Sequence, residues 1–301
     1  MIIWRITDGK AGHDSQSRGL IQALNALVPC TSYDIAAPPL FKTILNFFSR
    51  RFPAADLPDP DIIIGAGHAT HLPMLAARRA RGGKIALMMR PSLPVRWFDL
   101  CFIPKHDDPE TAPNVVLTDG AINPIVPSTE QRPDQGLILI GGASRHYGWD
   151  NDGLIGQIQA IIKTNPRKWT LTDSPRTPEV TRRSLLQLDH EAVEYVPYNK
   201  CNAGWLPSRL HYAGTVWVTR DSMSMIYESL TAGAAVGLLD VPEKTPGRIV
   251  RAVAALAETQ QAISYRQWRD GQPLSPLKSP LHEADRCARI LLERFSLMKN
   301  G

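Results

Sequence analysis

A chain of 301 residues, 43% hydrophobic and 21% charged, has the balance of an ordinary soluble globular protein, with room for two domains at roughly 150 residues each. Its net charge of +5, from 34 Lys and Arg against 29 Asp and Glu, suits anionic partners such as phosphorylated ligands or acidic lipid, and is too small and too scattered to argue for nucleic acid. Cys30, Cys101, Cys201 and Cys287 form no C-x-x-C pair, the N-terminus carries no signal-peptide pattern, and no apolar run approaches the roughly 20 residues that span a bilayer, so a cytoplasmic location is expected.

Short apolar runs alternate with amphipathic segments, the rhythm of parallel sheets with crossover helices. In the first half the strands read as "MIIWRIT", "DIIIGAG", "KIALMM", "DLCFIP" and "NVVLTDG", with helices over 15–27, 40–51 and 69–81. The Pro-rich polar stretch from Asn123 to Gln135 reads as an exposed connection between domains. The second half repeats the pattern with "GLILIGG", "KWTLTD", "AVEYVP", "TVWVTR" and "AVGLLD", and with helices near 153–163, 178–188, 223–232 and 247–259. One more amphipathic helix is expected over 280–296. The fold class that follows is α/β, two doubly wound Rossmann-like domains facing across a cleft, over residues 1–128 and 129–279. Open parallel sheets bind ligands beyond the carboxyl ends of their strands, so the loops there carry the candidate chemistry.

The first such loop, "DGKAGHDSQSRGL", gathers Gly9, Lys10, Gly12, His13 and Asp14 between a strand and a helix. "DIIIGAGHATHLPMLAARR" places Gly67, His68 and Thr70 similarly; it only superficially resembles G-x-G-x-x-G, because Thr70 stands at the third glycine position. "MMRPSLPVRWFD" adds Arg90 and Ser92. In the second half, "LILIGGASRHYGWD" sets Gly141 and Gly142 after a strand, followed by Ser144 and Arg145. Such glycines let backbone N–H groups approach a phosphate, and Arg145 would neutralise it. "TLTDSPRTP" offers Thr172, Asp173 and Ser174. "WVTRDSMSMIYESLTAGAAVGLLDVP" runs through Arg220, Asp221, Ser222, Met223 and Ser224 into a helix ending at Gly233. Its first turn suits a pyrophosphate, and Glu228, four residues after Ser224 on the same face, suits a ribose diol. The D-x-D pairs Asp59/Asp61 and Asp150/Asp152 lie in turns, and no obligatory metal or other cofactor is expected. "PLFKTILNFFSRRF" reads either as a basic amphipathic helix lying on an anionic membrane or as a helix packed on its own sheet.

Taken together these loops resemble the GT-B glycosyltransferases, including the N-acetylglucosamine transferase of peptidoglycan synthesis. More closely, the chain is similar to bacterial members of the mitochondrial-fission Elm family, through "DGKAGHDSQSRGL", "IGAGHATHLPMLAARR", "MRPSLPVRWFDLCFIPKHD", "GAINPI", "GGASRHYGWD" and "VTRDSMSMIYESLTAGAAVGLLDVP". The resemblance implies a nucleotide-sugar donor on the C-terminal domain, with Glu228 at its ribose and Gly141 and Gly142 as its glycine loop; Ser144, Arg145, Thr172, Asp173, Ser174 and the 220–224 turn are the donor-binding candidates read from the loops themselves. The same resemblance implies an acceptor on the N-terminal domain, beside Gly12, Gly67, His68, Thr70, Arg90 and Ser92, and a final helix over 280–301 that crosses back to that domain. His13 matches the histidine ending the peptidoglycan enzyme's first glycine-rich loop. His13 or Asp14 is then the base for an acceptor hydroxyl, with Asp14 either orienting His13 or acting itself. The expected activity is metal-independent transfer to an envelope glycan, lipooligosaccharide or lipid-linked acceptor, inverting if a single base acts, with retention left open. The alternative is a non-catalytic, membrane-associated adaptor akin to the fission-recruitment relatives.

Overall fold

The computed structural model describes residues 1–188 and 190–297. The chain divides into two compact units, Met1–Pro124 together with the segment from His282, and Ile125–Leu281. In chain order the first holds β1 (Ile2–Thr7), α1 (Ala11–Leu27), β2 (Thr31–Ala36), α2 (Leu40–Ser49), β3 (Ile62–Ala66), α3 (His71–Arg81), β4 (Lys84–Met88), β5 (Leu100–Pro104) and β6 (Val115–Thr118). All strands are parallel, in the order β2-β1-β3-β4-β5-β6. "IIIGA" and "LCFIP" are buried along their whole length, as expected of strands covered on both faces. The edge strand β2 is one of the elements the hydrophobic pattern misses, with three short ones of the second unit, Trp205–Tyr212, Ile263–Ser264 and Tyr265–Arg269: of "TSYDIA" only Ile35 is buried, and its ladder to β1 is carried by backbone bonds.

The second unit contains β7 (Arg132–Leu139), α4 (Asn151–Thr164), β8 (Lys168–Thr172), α5 (Glu179–Leu186), β9 (Val193–Val196), α6 (Trp205–Tyr212), β10 (Ala213–Thr219), α7 (Met223–Ala232), β11 (Ala235–Leu239), α8 (Arg248–Glu258), β12 (Ile263–Ser264) and α9 (Tyr265–Arg269). Its sheet is also parallel, in the order β12-β11-β10-β7-β8-β9. Each sheet has one place where strand order reverses: between β1 and β3 in the first, and between β7 and β10 in the second. Loops leaving adjacent strands diverge there and open a crevice, so topology alone nominates one candidate site in each unit.

The last helix, α10 (Glu283–Arg294), belongs to the first unit. Its Cys287, Ala288, Leu291 and Leu292 bury against Leu20 and Leu24 of α1 and Ile3 of β1. At its start the Glu283 carboxylate accepts the Asp119 N–H at 3.0 Å. The end of the predicted 280–301 tail, residues 298–301, lies outside the described residues. The stretch expected to be an exposed connection is pinned at its start. Asn123 and Ile125 are buried, the backbone of Asn123 and Pro124 lies so close to Gly19 of α1 that no Cβ fits there, and Ile125 joins the core of the second unit.

Candidate functional site

At the reversal point of the first sheet, Gly9 (φ 74°) turns the chain off β1 and α1 begins at Ala11, not at residue 15. Gly12, His13 and Asp14 therefore lie in the first turn of a helix and not on a loop, with Gly12 exposed. His13 Nδ1 lies 3.0 and 3.1 Å from the two carboxylate oxygens of Asp8. An ionised carboxylate only accepts, so Nδ1 carries the proton and Nε2 is the basic nitrogen of the ring. Burial alone would raise the Asp8 carboxyl. The bonds from His13 and from the Lys10 N–H at 3.2 Å, together with the charges of both residues, outweigh that and hold it below its ordinary range. The carboxylate that meets His13 is thus Asp8, which the sequence reading did not select, and not Asp14. Asp14 accepts from Arg5 at 3.0 Å and from the Thr7 hydroxyl, which places it in the structural bracing of the turn.

The loop after β3 supplies the floor of this arrangement. Gly67 has φ 81° and ψ 158°, a conformation essentially reserved for glycine, and a Cβ there would collide with the His13 ring. Thr70, expected beside an acceptor, is fully buried and donates its hydroxyl to Gly67 O at 2.8 Å; it holds the Gly67 turn that lies against His13. Arg90 turns elsewhere, donating to the carbonyls of Asp107 and Asp108 at 3.1 Å. His68 and Ser92 do stand with Asp8, on the wall of a cavity of about 550 Å³ that also includes His71.

His71 follows His68 and Thr70 as the first residue of α3, and the sequence alone assigns it no role. It is buried, its Nδ1 lies 3.2 Å from Ser92 Oγ, and its ring meets Phe98 edge-on. Burial, followed by the nearby His68 and His13, pushes its pKa down to about 4. The unfolded chain takes up this proton near the ordinary histidine value of about 6.5 and the folded chain does not, so stability is full above that pH and falls as pH drops toward about 4. Thermal melts across that window should show the fall, and His71→Leu should flatten it. An unchanged acid limb in the variant would assign the loss to other groups.

In the second sheet the loops after β7, β8 and β10 converge. Gly141 N–H donates to Thr219 Oγ1 at 2.8 Å and Gly142 N–H to Asp221 Oδ2 at 3.0 Å. Asp221 Oδ2 also pairs with Arg176 Nη2 at 2.8 Å, and Arg176 Nη1 donates to Gly142 O at 2.8 Å. Ser174 Oγ closes the knot by donating to Gly141 O at 2.9 Å. The two glycines are needed because side chains and backbone crowd them: a Cβ at either would strike Asp221 or the Arg176 carbonyl. Their N–H groups, expected to cradle a phosphate, are committed internally. Asp173 is likewise spoken for, accepting from Arg182 Nε and from the Tyr198 N–H, both at 2.6 Å. Thr172 is buried with its hydroxyl 3.5 Å from Cys201 Sγ, and the Ser144 hydroxyl accepts from the His146 and Tyr147 N–H groups at 3.2 and 3.1 Å.

What this knot leaves open is the start of α7. Ser222 is its N-cap, but makes no side-chain cap bond, and no acidic residue occupies the first turn, so the positive end of the helix lacks internal compensation from its own side chains. Ser224 is exposed in that turn, Glu228 is half-buried one turn on, and Met223 packs on the core. Arg145 is exposed on the β7 loop. Arg220 reaches Asp240 and Glu243 at 3.5 and 3.6 Å, while its Nε has no partner among the described residues, nor do the buried Tyr147 hydroxyl and Asp221 Oδ1. Burial pushes the Tyr147 hydroxyl up to about 12. The D-x-D carboxylates have structural tasks: Asp59 pairs with Arg81, Asp61 accepts the Ile2 N–H at 2.7 Å, and Asp150 caps α4. Among the described residues no cluster of His, Cys, Asp and Glu has the makings of a metal site, and no helix is long and apolar enough to cross a membrane.

Comparison with known proteins places this architecture. UDP-GlcNAc 2-epimerase from Methanocaldococcus jannaschii superposes with a TM-score of 0.62 at 12% identity, covering 97% of this chain and 100% of that one. S. aureus MnaA, solved with UDP, gives 0.53 at 14% over 99% and 97%. Phytolacca americana UGT2, solved with UDP-2fluoro-glucose and pterostilbene, gives 0.51 at 11% over 97% and 89%. At such identities the likeness speaks for the fold, the two-domain α/β architecture of GT-B enzymes. No curated protein sequence matches significantly. The family described as Mitochondrial fission ELM1 matches residues 11–295, nearly the whole chain, and the protein belongs to that family.

Proposed function

We propose that the protein is a nucleotide-sugar-dependent glycosyltransferase in which the first unit activates the acceptor and the second binds the donor nucleotide. The observation that carries this reading is the Asp8–His13 pair at the reversal point of the first sheet, a buried carboxylate fixing the tautomer of a partly exposed imidazole. A non-catalytic adaptor would not require such a pair. In the proposed step an acceptor hydroxyl attacks the anomeric carbon of the donor. Its proton passes to His13 Nε2, the new C–O bond forms as the bond to the phosphate oxygen breaks, and the nucleoside diphosphate leaves with that electron pair. A single displacement of this kind inverts the anomeric centre. Charge on the departing diphosphate is met by the open end of α7, by Ser224 and by Arg145, without an obligatory metal, and Glu228 takes the ribose diol. Acceptors to test are envelope glycans, lipooligosaccharides and lipid-linked sugars.

UDP is the first donor fragment to try, since UDP or a UDP-sugar occupies structurally similar proteins. Ligand binding stabilises the folded state by mass action, by about 2.7 kcal/mol at a hundredfold excess over Kd, and so raises the melting temperature. The expected result is a rise with one nucleoside diphosphate series that is lost in Glu228→Ala. A rise unchanged in the variant would remove Glu228 from the ribose site, and no rise with any nucleoside diphosphate would remove the donor assignment. The likeness to the M. jannaschii epimerase favours a second reading, epimerisation of the same class of donor. An epimerised sugar nucleotide formed without acceptor would establish it in place of transfer.

A further inference from the structure

The helix α2 is built inside out. Its one buried side chain is a polar one, Thr43, whose hydroxyl donates to the carbonyls of Pro38 and Pro39 at 3.0 and 3.2 Å. Leu40, Phe41, Ile44, Leu45 and Phe48 follow the spacing of a single helical face and all face solvent, with Phe41 78% and Phe48 74% exposed. Exposed large apolar residues are otherwise scattered, and one contiguous ridge of them marks a contact surface. Between this ridge and α3 runs a groove of about 630 Å³ walled by Ile44, Phe47, Phe48, Leu72, Leu75 and the half-exposed Trp97. Thr43 and Leu72 form a shared wall between that groove and the cavity that holds Asp8, His68 and Ser92.

Charge selects the occupant. The stretch from Pro38 to Ala55 carries Lys42, Arg50 and Arg51 and no acidic residue, and all three basic side chains are exposed. Arg79 of α3, over the Phe47 ring, and Arg96 next to Trp97 are exposed as well. Apolar side chains flanked by cations, with a tryptophan at the margin, match the boundary of an anionic bilayer, where hydrocarbon lies beneath negatively charged headgroups. We propose that the groove between α2 and α3 holds a hydrocarbon chain of a lipid in an anionic bilayer, so that the acceptor is a membrane-embedded amphiphile whose polar head is presented toward Asp8 and His68. The acceptor half of this proposal rests on the transferase reading; the lipid-chain site itself does not.

The test is binding of the full chain to vesicles of phosphatidylcholine, with and without phosphatidylglycerol bearing brominated acyl chains. Binding is expected only to the anionic vesicles and should weaken with salt, and bromine should quench a part of the tryptophan emission that Trp97→Phe removes. Phe41→Ser/Phe48→Ser and Arg50→Glu/Arg51→Glu should each weaken binding by about tenfold or more; the four side chains are exposed, so the fold should persist. Salt-sensitive binding without the Trp97-dependent quench would reduce the contact to headgroup attraction and overturn the chain site. Self-association lost in Phe41→Ser/Phe48→Ser, with no vesicle binding, would assign the ridge to a second copy and also overturn it. The UDP-induced thermal shift of the same variants separates the readings. If it persists while vesicle binding is absent in the unmodified chain, only the lipid site fails; if vesicles bind and no nucleotide does, only the transferase reading fails.

Discussion

Replacing His13 with alanine is expected to lower glycosyl transfer by roughly two to four orders of magnitude while leaving the UDP-induced thermal shift in place. The imidazole is held from two sides: Asp8 binds Nδ1, and Gly67 lies so close to the ring that a Cβ there would strike Cε1. Little reorganisation is then required before Nε2 can accept a proton. Asp8→Asn should fall between the unmodified protein and His13→Ala, because an amide can still bond the ring but no longer fixes its tautomer or offsets the imidazolium that forms. Gly67→Ala should resemble His13→Ala in turnover, since the added methyl group displaces the ring. Single-turnover measurements with saturating donor check all three. Full turnover in His13→Ala would take the imidazole out of the reaction and leave the family fold without its proposed base.

The different partners of Asp8 and Asp14 show what the sequence conceals. Lys10 is the N-cap of α1 and makes no side-chain cap bond, so no Ser, Thr, Asn or Asp marks the start of the helix, and Gly9 and Gly12 both argue for a loop. Starting the helix at Ala11 brings His13 back over Asp8 and leaves Asp14 with Arg5. By contrast α7 was legible to the residue, because Gly233 stops it in the left-handed region (φ 91°) and a polar turn precedes it. Gly141 and Gly142 teach a different lesson. A glycine pair after a strand announces a close approach, but not by what; here the approaching atoms are those of Asp221 and Arg176. Strands buried on both faces declared themselves by composition, whereas β2 is specified by its neighbour β1, and no local pattern records that.

Arg5→Leu should cost about 3 kcal/mol of stability, the lower end of the range for breaking a buried ion pair. Arg5 is 2% exposed in the middle of β1, and its guanidinium donates to Asp34 through Nε at 2.6 Å and Nη2 at 2.5 Å, to Asp14 at 3.0 Å and to Ser17 at 3.1 Å. The hydrogen bond to Asp34 raises its pKa, and together with the charges of Asp34 and Asp14 prevails over burial, so the cation stays charged. Asp34 is half-exposed and can rehydrate when the arginine is removed, which keeps the cost from the top of the range; Asp14 is mostly buried and is left with the Thr7 hydroxyl. For a protein of this size each kcal/mol shifts the melting temperature by about 2–4 °C, so a fall of roughly 10 °C is expected. Asp14→Leu added to Arg5→Leu should restore part of the loss, because the stranded carboxylate is gone, and a coupling of about 0.5–3 kcal/mol would measure the pair. A variant within about 0.5 kcal/mol of the unmodified protein would mean that water replaces the guanidinium and that the network is not a brace. Asp14 adjoins His13 in the first turn of α1, so the same substitution loosens the helix end that carries the proposed base. Turnover measured well below the lowered melting temperature should therefore still be reduced, and Arg5→Lys, which keeps the charge but cannot bond Asp34 and Asp14 with a planar fork, should recover stability only in part.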